Sequence, residues 1–188
     1  MGQALWFASR AAGVVALLML TATMVLGSFH TGRVASRGWP RFVLHAVHRN
    51  LSLLAVTFVA VHVASAIIDP YAGIGWVDAV VPFVSTYQPF WLGLGTVAID
   101  LMLAIVVTSL LRHRIGLRAW RVLHTCAYLL WPIALVHGYG IGGADSRLWW
   151  VLAVDLVCVL AVLAAVVRRL LAPDPDRDAR RALQGRVR

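Results

Sequence analysis

The sequence predicts an all-α integral membrane protein, folded as a bundle of five transmembrane helices. Hydrophobic residues make up 61% of the 188 residues and charged residues only 13%. The mean hydropathy is +0.80, which lies outside the range of ordinary soluble domains. Five separate apolar stretches are each long enough to cross about 30 Å of hydrocarbon, which takes roughly 20 helical residues. The predicted spans are 5–29, 42–68, 91–111, 119–140 and 148–170.

These spans form one predicted transmembrane domain, residues 1–171, followed by a short polar tail, residues 172–188. The tail mixes proline, Asp and Arg, a composition that does not support a packed core. The first span has Arg10 ahead of an apolar run, as a signal peptide would. Its apolar run is long, however, and no small-x-small cleavage site follows, so we interpret it as a transmembrane helix.

The distribution of arginine predicts the orientation of the bundle. Arginines are concentrated between spans one and two, between spans three and four, and in the tail, whereas the connection 69–90 contains none. Because positively charged connections remain in the cytoplasm, we expect the N-terminus outside and the C-terminus inside. This topology also explains the net charge of +9, so we expect membrane lipid and no nucleic acid as a partner.

Four histidines lie within the predicted spans, His48 and His62 in the second and His124 and His137 in the fourth. An imidazole in hydrocarbon is costly unless it is bound, so each is a functional candidate. The second and fourth spans run in the same direction, which places the histidines at two levels roughly 20 Å apart. We therefore predict two stacked haems, with His48 and His124 at the inner haem and His62 and His137 at the outer. For any single histidine the alternative is an interhelical hydrogen bond, whereas zinc or copper would need three or four converging ligands.

The spacing of the two histidines in the second span places them on nearly the same face of the helix. Fourteen residues bring His62 to within about 40° of the direction of His48 on an ideal helix. Ser52 and Ala55 lie between them on that face, and their small side chains leave room for flat rings. We therefore predict that both line the cofactor sites.

The spacing in the fourth span requires a change in winding. Thirteen residues leave His137 about 140° from the direction of His124 on an ideal helix. Pro132 lies between them and has no N–H to donate, so we predict a distortion at this proline. Trp131 also lies between the two levels, where it could separate the haems or pack in the core.

Five arginines near the span ends are candidate partners of haem propionates, because a guanidinium binds carboxylate well. Setting the topology is the alternative role for each. Those assigned to the inner haem are Arg49, Arg118 and Arg121, and those assigned to the outer haem are Arg10 and Arg147.

Two carboxyl groups also fall within the membrane, on Asp100 and Asp155. A carboxyl group at that depth should be neutral or paired. Arg10 or the N–H of a ligand histidine is a plausible partner, since such acceptors orient metal-bound imidazoles.

Two stretches carry a specific resemblance, LHAVHRNLSLLAVTFVAVHVASAIID (44–69) and SLLRHRIGLRAWRVLHTCAYLLWPIALVHGYGIGGAD (109–145). They resemble the ferric reductase-like transmembrane domain of NADPH oxidases, ferric reductases and the haem-binding membrane subunit of bacterial methionine sulfoxide reductase systems. The resemblance extends over about residues 5–170. It implies two b-type haems held by paired histidines, transmembrane electron transfer and a bacterial plasma membrane location. The four matching histidines are His48, His62, His124 and His137.

The chain departs from the larger members of that superfamily, which carry a cytoplasmic flavin and nicotinamide domain. Nothing of that kind fits in residues 172–188, and a glycine-rich dinucleotide fingerprint is lacking. We therefore expect an oxidoreductase membrane subunit that binds no flavin and takes electrons from a separate flavoprotein to an extracytoplasmic acceptor. A quinol-oxidising haem b anchor of a periplasmic or cell-surface redox enzyme is the alternative. A non-redox transporter or scaffold is a further alternative, and it predicts a colourless preparation.

Overall fold

A computed structural model describes residues 2–31 and 40–171, and all regular secondary structure within them is helical. Five helical spans are long and apolar enough to cross a membrane. Their bounds differ from the predicted ones by no more than two residues, so the five-helix prediction is confirmed. The tail 172–188 lies outside the described residues. The observed spans are Ala4–Phe29, Phe42–Ile68, Pro89–Leu110, Leu117–Ile141 and Trp149–Leu171.

The described residues form seven α-helices. There are more helices than spans because a short helix lies between the third and fourth spans, and because a break divides the fourth span into two helices. In chain order they are α1 Gly2–Thr31, α2 Arg41–Ile68, α3 Pro89–Leu110, α4 Arg112–Ile115, α5 Leu117–His124, α6 Ala127–Ile141 and α7 Trp149–Leu171. A short 3-10 turn, Asp145–Arg147, precedes α7.

The N-terminal helix α1 is the centre of the bundle. It packs along α2 and also contacts α6 and α7, while α3 packs against α5 and α6. Ala12 and Ala16 of α1 and Ala55 of α2 are buried. Small side chains of this kind allow helices to approach closely in a membrane. Val56 and Val59 of α2 also pack against a buried cluster of α3 and α6, formed by Ala98, Met102 and Leu130.

The α2–α3 connection is folded against the start of α3. The Asp78 carbonyl accepts a hydrogen bond from Thr96 Oγ1 at 2.7 Å, and the Phe83 ring covers Gly93 so closely that a Cβ there would lie 2.1 Å from Phe83 Cδ1. Phe83 adopts a positive φ of 67°, a conformation that L-residues rarely adopt. These contacts hold the connection over one end of the bundle.

The fourth span is broken immediately after His124, where α5 ends and α6 begins at Ala127. The backbone tightens there: the N–H of Thr125 donates to Val122 O, and that of Cys126 to Leu123 O. Residues bonded in this i→i+3 manner turn by about 120° each instead of about 100°. The extra rotation moves His137 towards the direction of His124.

A winding change between the two histidines was predicted, but its assignment to Pro132 is wrong. Pro132 lies within an unbroken α6. The missing N–H of a proline can be accommodated within a transmembrane helix when neighbouring groups satisfy the freed carbonyl. The break at residues 125–126 comes before the proline and depends on the tightened turn.

Candidate functional site

Two pairs of histidine rings meet at two levels of the bundle. The ring centroids of His48 and His124 are 6.3 Å apart, with 65° between the ring planes. Those of His62 and His137 are 6.2 Å apart, with 78° between the planes. The structure therefore brings together the same two pairs that the sequence predicts, each joining α2 to the fourth span.

The ring separations suit a metal ion placed between two imidazoles. A metal–imidazole nitrogen bond is about 2 Å long, so two rings on opposite sides of one ion have centroids about 6 Å apart. Within residues 2–31 and 40–171, no group of three or more His, Cys or Asp could hold a metal ion. The geometry therefore favours two histidine ligands per metal over a tetrahedral protein cage.

A backbone hydrogen bond fixes the tautomer of His62. Its Nδ1 lies 2.8 Å from Ser9 O on α1. A carbonyl oxygen can only accept, so Nδ1 carries the proton and donates it. The lone pair of the neutral ring is then on Nε2, which is the atom left free to bind a metal.

The same relation holds for two further histidines. His48 Nδ1 lies 3.2 Å from Thr23 O on α1, and His137 Nδ1 lies 2.8 Å from Trp91 O on α3. Each of these rings also carries its proton on Nδ1 and presents Nε2. The hydrogen bonds fix the orientation of both rings.

His124 is held differently. Its Nδ1 is buried and has no hydrogen-bond partner within the described part of the chain. Trp120 stacks on its ring, with centroids 5.1 Å apart and 29° between the planes. Trp120 is in turn anchored to α3, because its Nε1–H donates to Ser109 Oγ at 3.2 Å. Aromatic stacking therefore takes the place of the backbone bond.

The predicted small residues lie along the histidine-bearing helix as expected. Ser52 Oγ donates to His48 O at 2.8 Å, so its hydroxyl is satisfied within α2. Ala55 is only 1% exposed. Their direct contact with a cofactor remains a prediction.

Arg10 has other partners than the carboxyl groups suggested for it. Its Nη1 lies 3.0 Å from Asp145 Oδ2 and also donates to Gly142 O at 3.0 Å. The guanidinium lies over the Trp6 ring, 4.2 Å from its centroid. The suggested pairing of Arg10 with Asp100 or Asp155 is therefore wrong, and Arg10 links α1 to the turn before α7.

The other predicted propionate partners are exposed, one in α2, two in α5 and one in the 3-10 turn. Their role stays a prediction. They are Arg49, Arg118, Arg121 and Arg147.

Trp131 packs in the core of the bundle. It is 6% exposed and lies with Cys158 and Val162 of α7 in one buried cluster. Its Nε1–H donates to Thr21 Oγ1 on α1 at 2.9 Å. The core-packing alternative is therefore confirmed, and a position between the haems stays a prediction.

Sequence reasoning missed the three residues whose carbonyls orient histidines, Ser9, Thr23 and Trp91. Every residue has a carbonyl, so residue type gives no direct signal. A spacing signal exists nevertheless: Ser9 and Thr23 are fourteen residues apart on α1, as His48 and His62 are on α2.

Comparison with known families agrees with this geometry. The family model for the ferric reductase like transmembrane component matches residues 12–135. The match includes His48, His62 and His124 and ends shortly before His137. No solved structure matches the chain. Members of the matched family typically bind haem and transfer electrons across membranes. With two thirds of its length matched, this multi-pass membrane protein belongs to the ferric reductase-like transmembrane family.

Proposed function

We propose that this protein carries electrons across the membrane through two b-type haems, each held by one histidine of α2 and one of the fourth span. His48 and His124 bind the inner haem, and His62 and His137 the outer. The observation that carries this proposal is the separation of the paired rings, 6.3 and 6.2 Å at the two levels. The family membership supports the same chemistry.

The chain's own residues bind and orient the two groups. The four histidines would bind the two groups, and the carbonyls of Ser9, Thr23 and Trp91 hold three of the rings in place. Haem held by these histidines would supply reversible one-electron transfer. Because two histidines would hold each iron, electron transfer would be favoured over oxygen binding at the metal.

Electrons enter at the cytoplasmic level from a separate flavoprotein and leave to an acceptor outside the membrane. The direction rests on the arginine distribution, which predicts a cytoplasmic location for the connection between α3 and α5. In that orientation His48 and His124 form the level nearest the donor.

The test is the haem content and redox spectrum of the purified protein. We expect two haems per chain and a reduced-minus-oxidised spectrum of six-coordinate b haem. His62→Ala and His124→Ala should each lower the haem content to about one or none. A colourless wild-type protein would overturn the proposal.

His45→Ala is the matched control, because His45 lies one helical turn before His48 on the same helix and is exposed. It should leave both haems in place. Reduction by a flavin reductase with NADPH, compared with reduction by menaquinol, then identifies the donor. Faster reduction by menaquinol would contradict the flavoprotein donor and leave the haem sites standing.

A further inference from the structure

We infer that the same backbone motif on a neighbouring helix positions three of the four histidines, and that the absence of this motif at the fourth makes the two haem sites inequivalent. This inference rests on the proposed haem function. We call the motif a carbonyl-and-glycine step: a residue whose carbonyl accepts a histidine Nδ1–H, followed four residues later by glycine. The three steps are Ser9 with Gly13, Thr23 with Gly27, and Trp91 with Gly95.

The geometry of an α-helix explains why glycine follows at the fourth position. The carbonyl of residue i points towards residue i+4, whose N–H it normally accepts. Its second lone pair can accept a histidine N–H only if the ring lies close beside residue i+4. A side chain at i+4 would occupy that place, and glycine leaves it open.

Each of the three glycines contacts the histidine that its own step binds. A Cβ on Gly13 would lie 3.1 Å from His62 Nδ1, and one on Gly27 would lie 3.3 Å from His48 Cε1. These contacts are tighter than nearly all real Cβ contacts. The two rings therefore lie directly against the backbone of α1.

The step on α3 is the tightest of the three. A Cβ on Gly95 would lie 2.5 Å from His137 Cε1, a distance that real Cβ atoms essentially never show. Alanine at this position would force the His137 ring to move. Gly95 thus determines where the His137 ring can lie.

The two steps on α1 match the spacing of the α2 histidines. Gly13 and Gly27 are fourteen residues apart, as His48 and His62 are. Because α1 and α2 run antiparallel, the first step meets the second histidine and the second step meets the first. Helix α1 therefore fixes the positions of both histidine rings of α2.

The fourth histidine lacks such a step. Its Nδ1 is buried and has no hydrogen-bond partner among the described residues. The stacked Trp120 ring, whose Nε1–H donates to Ser109 Oγ of α3, holds His124 instead.

The asymmetry has an electronic consequence. An Nδ1–H bonded to a carbonyl makes imidazole a stronger electron donor to its metal, which stabilises the ferric state and lowers the potential. The outer haem has two such ligands and the inner haem has one. We therefore expect the outer haem to have the lower midpoint potential of the two.

The test measures haem stoichiometry, the two midpoint potentials and the low-spin electron paramagnetic resonance signals. We expect Gly95→Ala to lose about one haem per chain, with the outer haem signal affected. Gly13→Ala should shift the outer haem signal and Gly27→Ala the inner one, with Gly27→Ala the mildest. Gly138→Ala is the control, because a Cβ there meets nothing within 4 Å.

In the wild type, the lower midpoint potential should belong to the haem whose signal Gly95→Ala affects. Two haems in the wild type, together with unchanged signals in all three glycine variants or with the lower potential at the other haem, would overturn this inference alone. Absence of haem in the wild type would instead overturn the proposed function.

Discussion

At the scale of single residues, Thr21 and Trp131 show how polar groups join helices in this molecule. Thr21 Oγ1 donates to Leu17 O within α1 at 2.8 Å and accepts the Trp131 Nε1–H at 2.9 Å. One hydroxyl thus satisfies the indole of α6 while its own proton stays bonded. Tryptophan is fully buried at low cost only when its N–H has such a partner.

Replacing Thr21 with valine should test this contact. The two side chains have a similar shape, so the change removes the acceptor and leaves the indole N–H unpaired in apolar surroundings. We expect a loss of about 1 kcal/mol in the free energy of unfolding, as for other hydrogen bonds between membrane helices. Chemical denaturation in detergent measures it.

The Thr21→Val, Trp131→Phe double variant supplies the control. Its loss of unfolding free energy should be smaller than the sum of the losses in the two single variants, because the second change removes the unpaired donor. Haem content should remain that of the wild type in all three variants. A loss of haem in Trp131→Phe would contradict the core-packing role of this residue.

At the scale of elements, the break in the fourth span decides where His137 points. Local sequence predicted that the winding must change, because thirteen residues do not return an ideal helix to the same face. The sequence offered Pro132 as the visible cause. The change is produced instead by tightened backbone bonding at Thr125 and Cys126, neither of which is a strong helix breaker.

Pro132→Ala should therefore leave both haems in place. The tightened turn precedes the proline, so restoring an N–H at residue 132 does not straighten the break. Haem per chain and the redox spectrum are the measurements. Loss of the outer haem in this variant would mean that Pro132 causes the distortion.

At the scale of the whole molecule, most of the surface is apolar and suited to lipid, and Asp100 interrupts it. Asp100 lies near the middle of α3 and its side chain is exposed. Leu103 and Val107 share this face and are 50% and 48% exposed. A carboxyl group facing lipid at mid-membrane depth is unfavourable in an isolated chain.

Asp100→Leu should stabilise the purified protein in lipid nanodiscs. Removing an aspartate from the centre of a transmembrane helix lowers its insertion cost by roughly 3 kcal/mol. We expect a higher midpoint of thermal unfolding, and Leu103→Asp on the same face should lower it. A lower midpoint for Asp100→Leu would mean that the carboxyl group has a stabilising partner.

The sequence predicted the spans and the histidine pairing because each depends on properties that residue types carry. Apolar length sets the spans, and His48, His62, His124 and His137 are conspicuous in hydrocarbon. The groups that hold the histidines could not be found in this way, since they are backbone carbonyls. Arg10 shows a second limit: its partner Asp145 is distant in sequence, and only the folded chain brings the two together.

The placement of the four histidines has a consequence for assembly. The hairpin of α1 and α2 carries His48 and His62, and the fourth span carries His124 and His137, so each iron would add coordinate bonds between two parts of the chain that α1 already joins by packing against α6 and α7. Residues 1–75 and 76–188, expressed as two polypeptides, should co-purify in higher yield when cells are supplied with porphyrin than when its synthesis is blocked. The cofactor would then strengthen the assembly of the chain as well as carry charge.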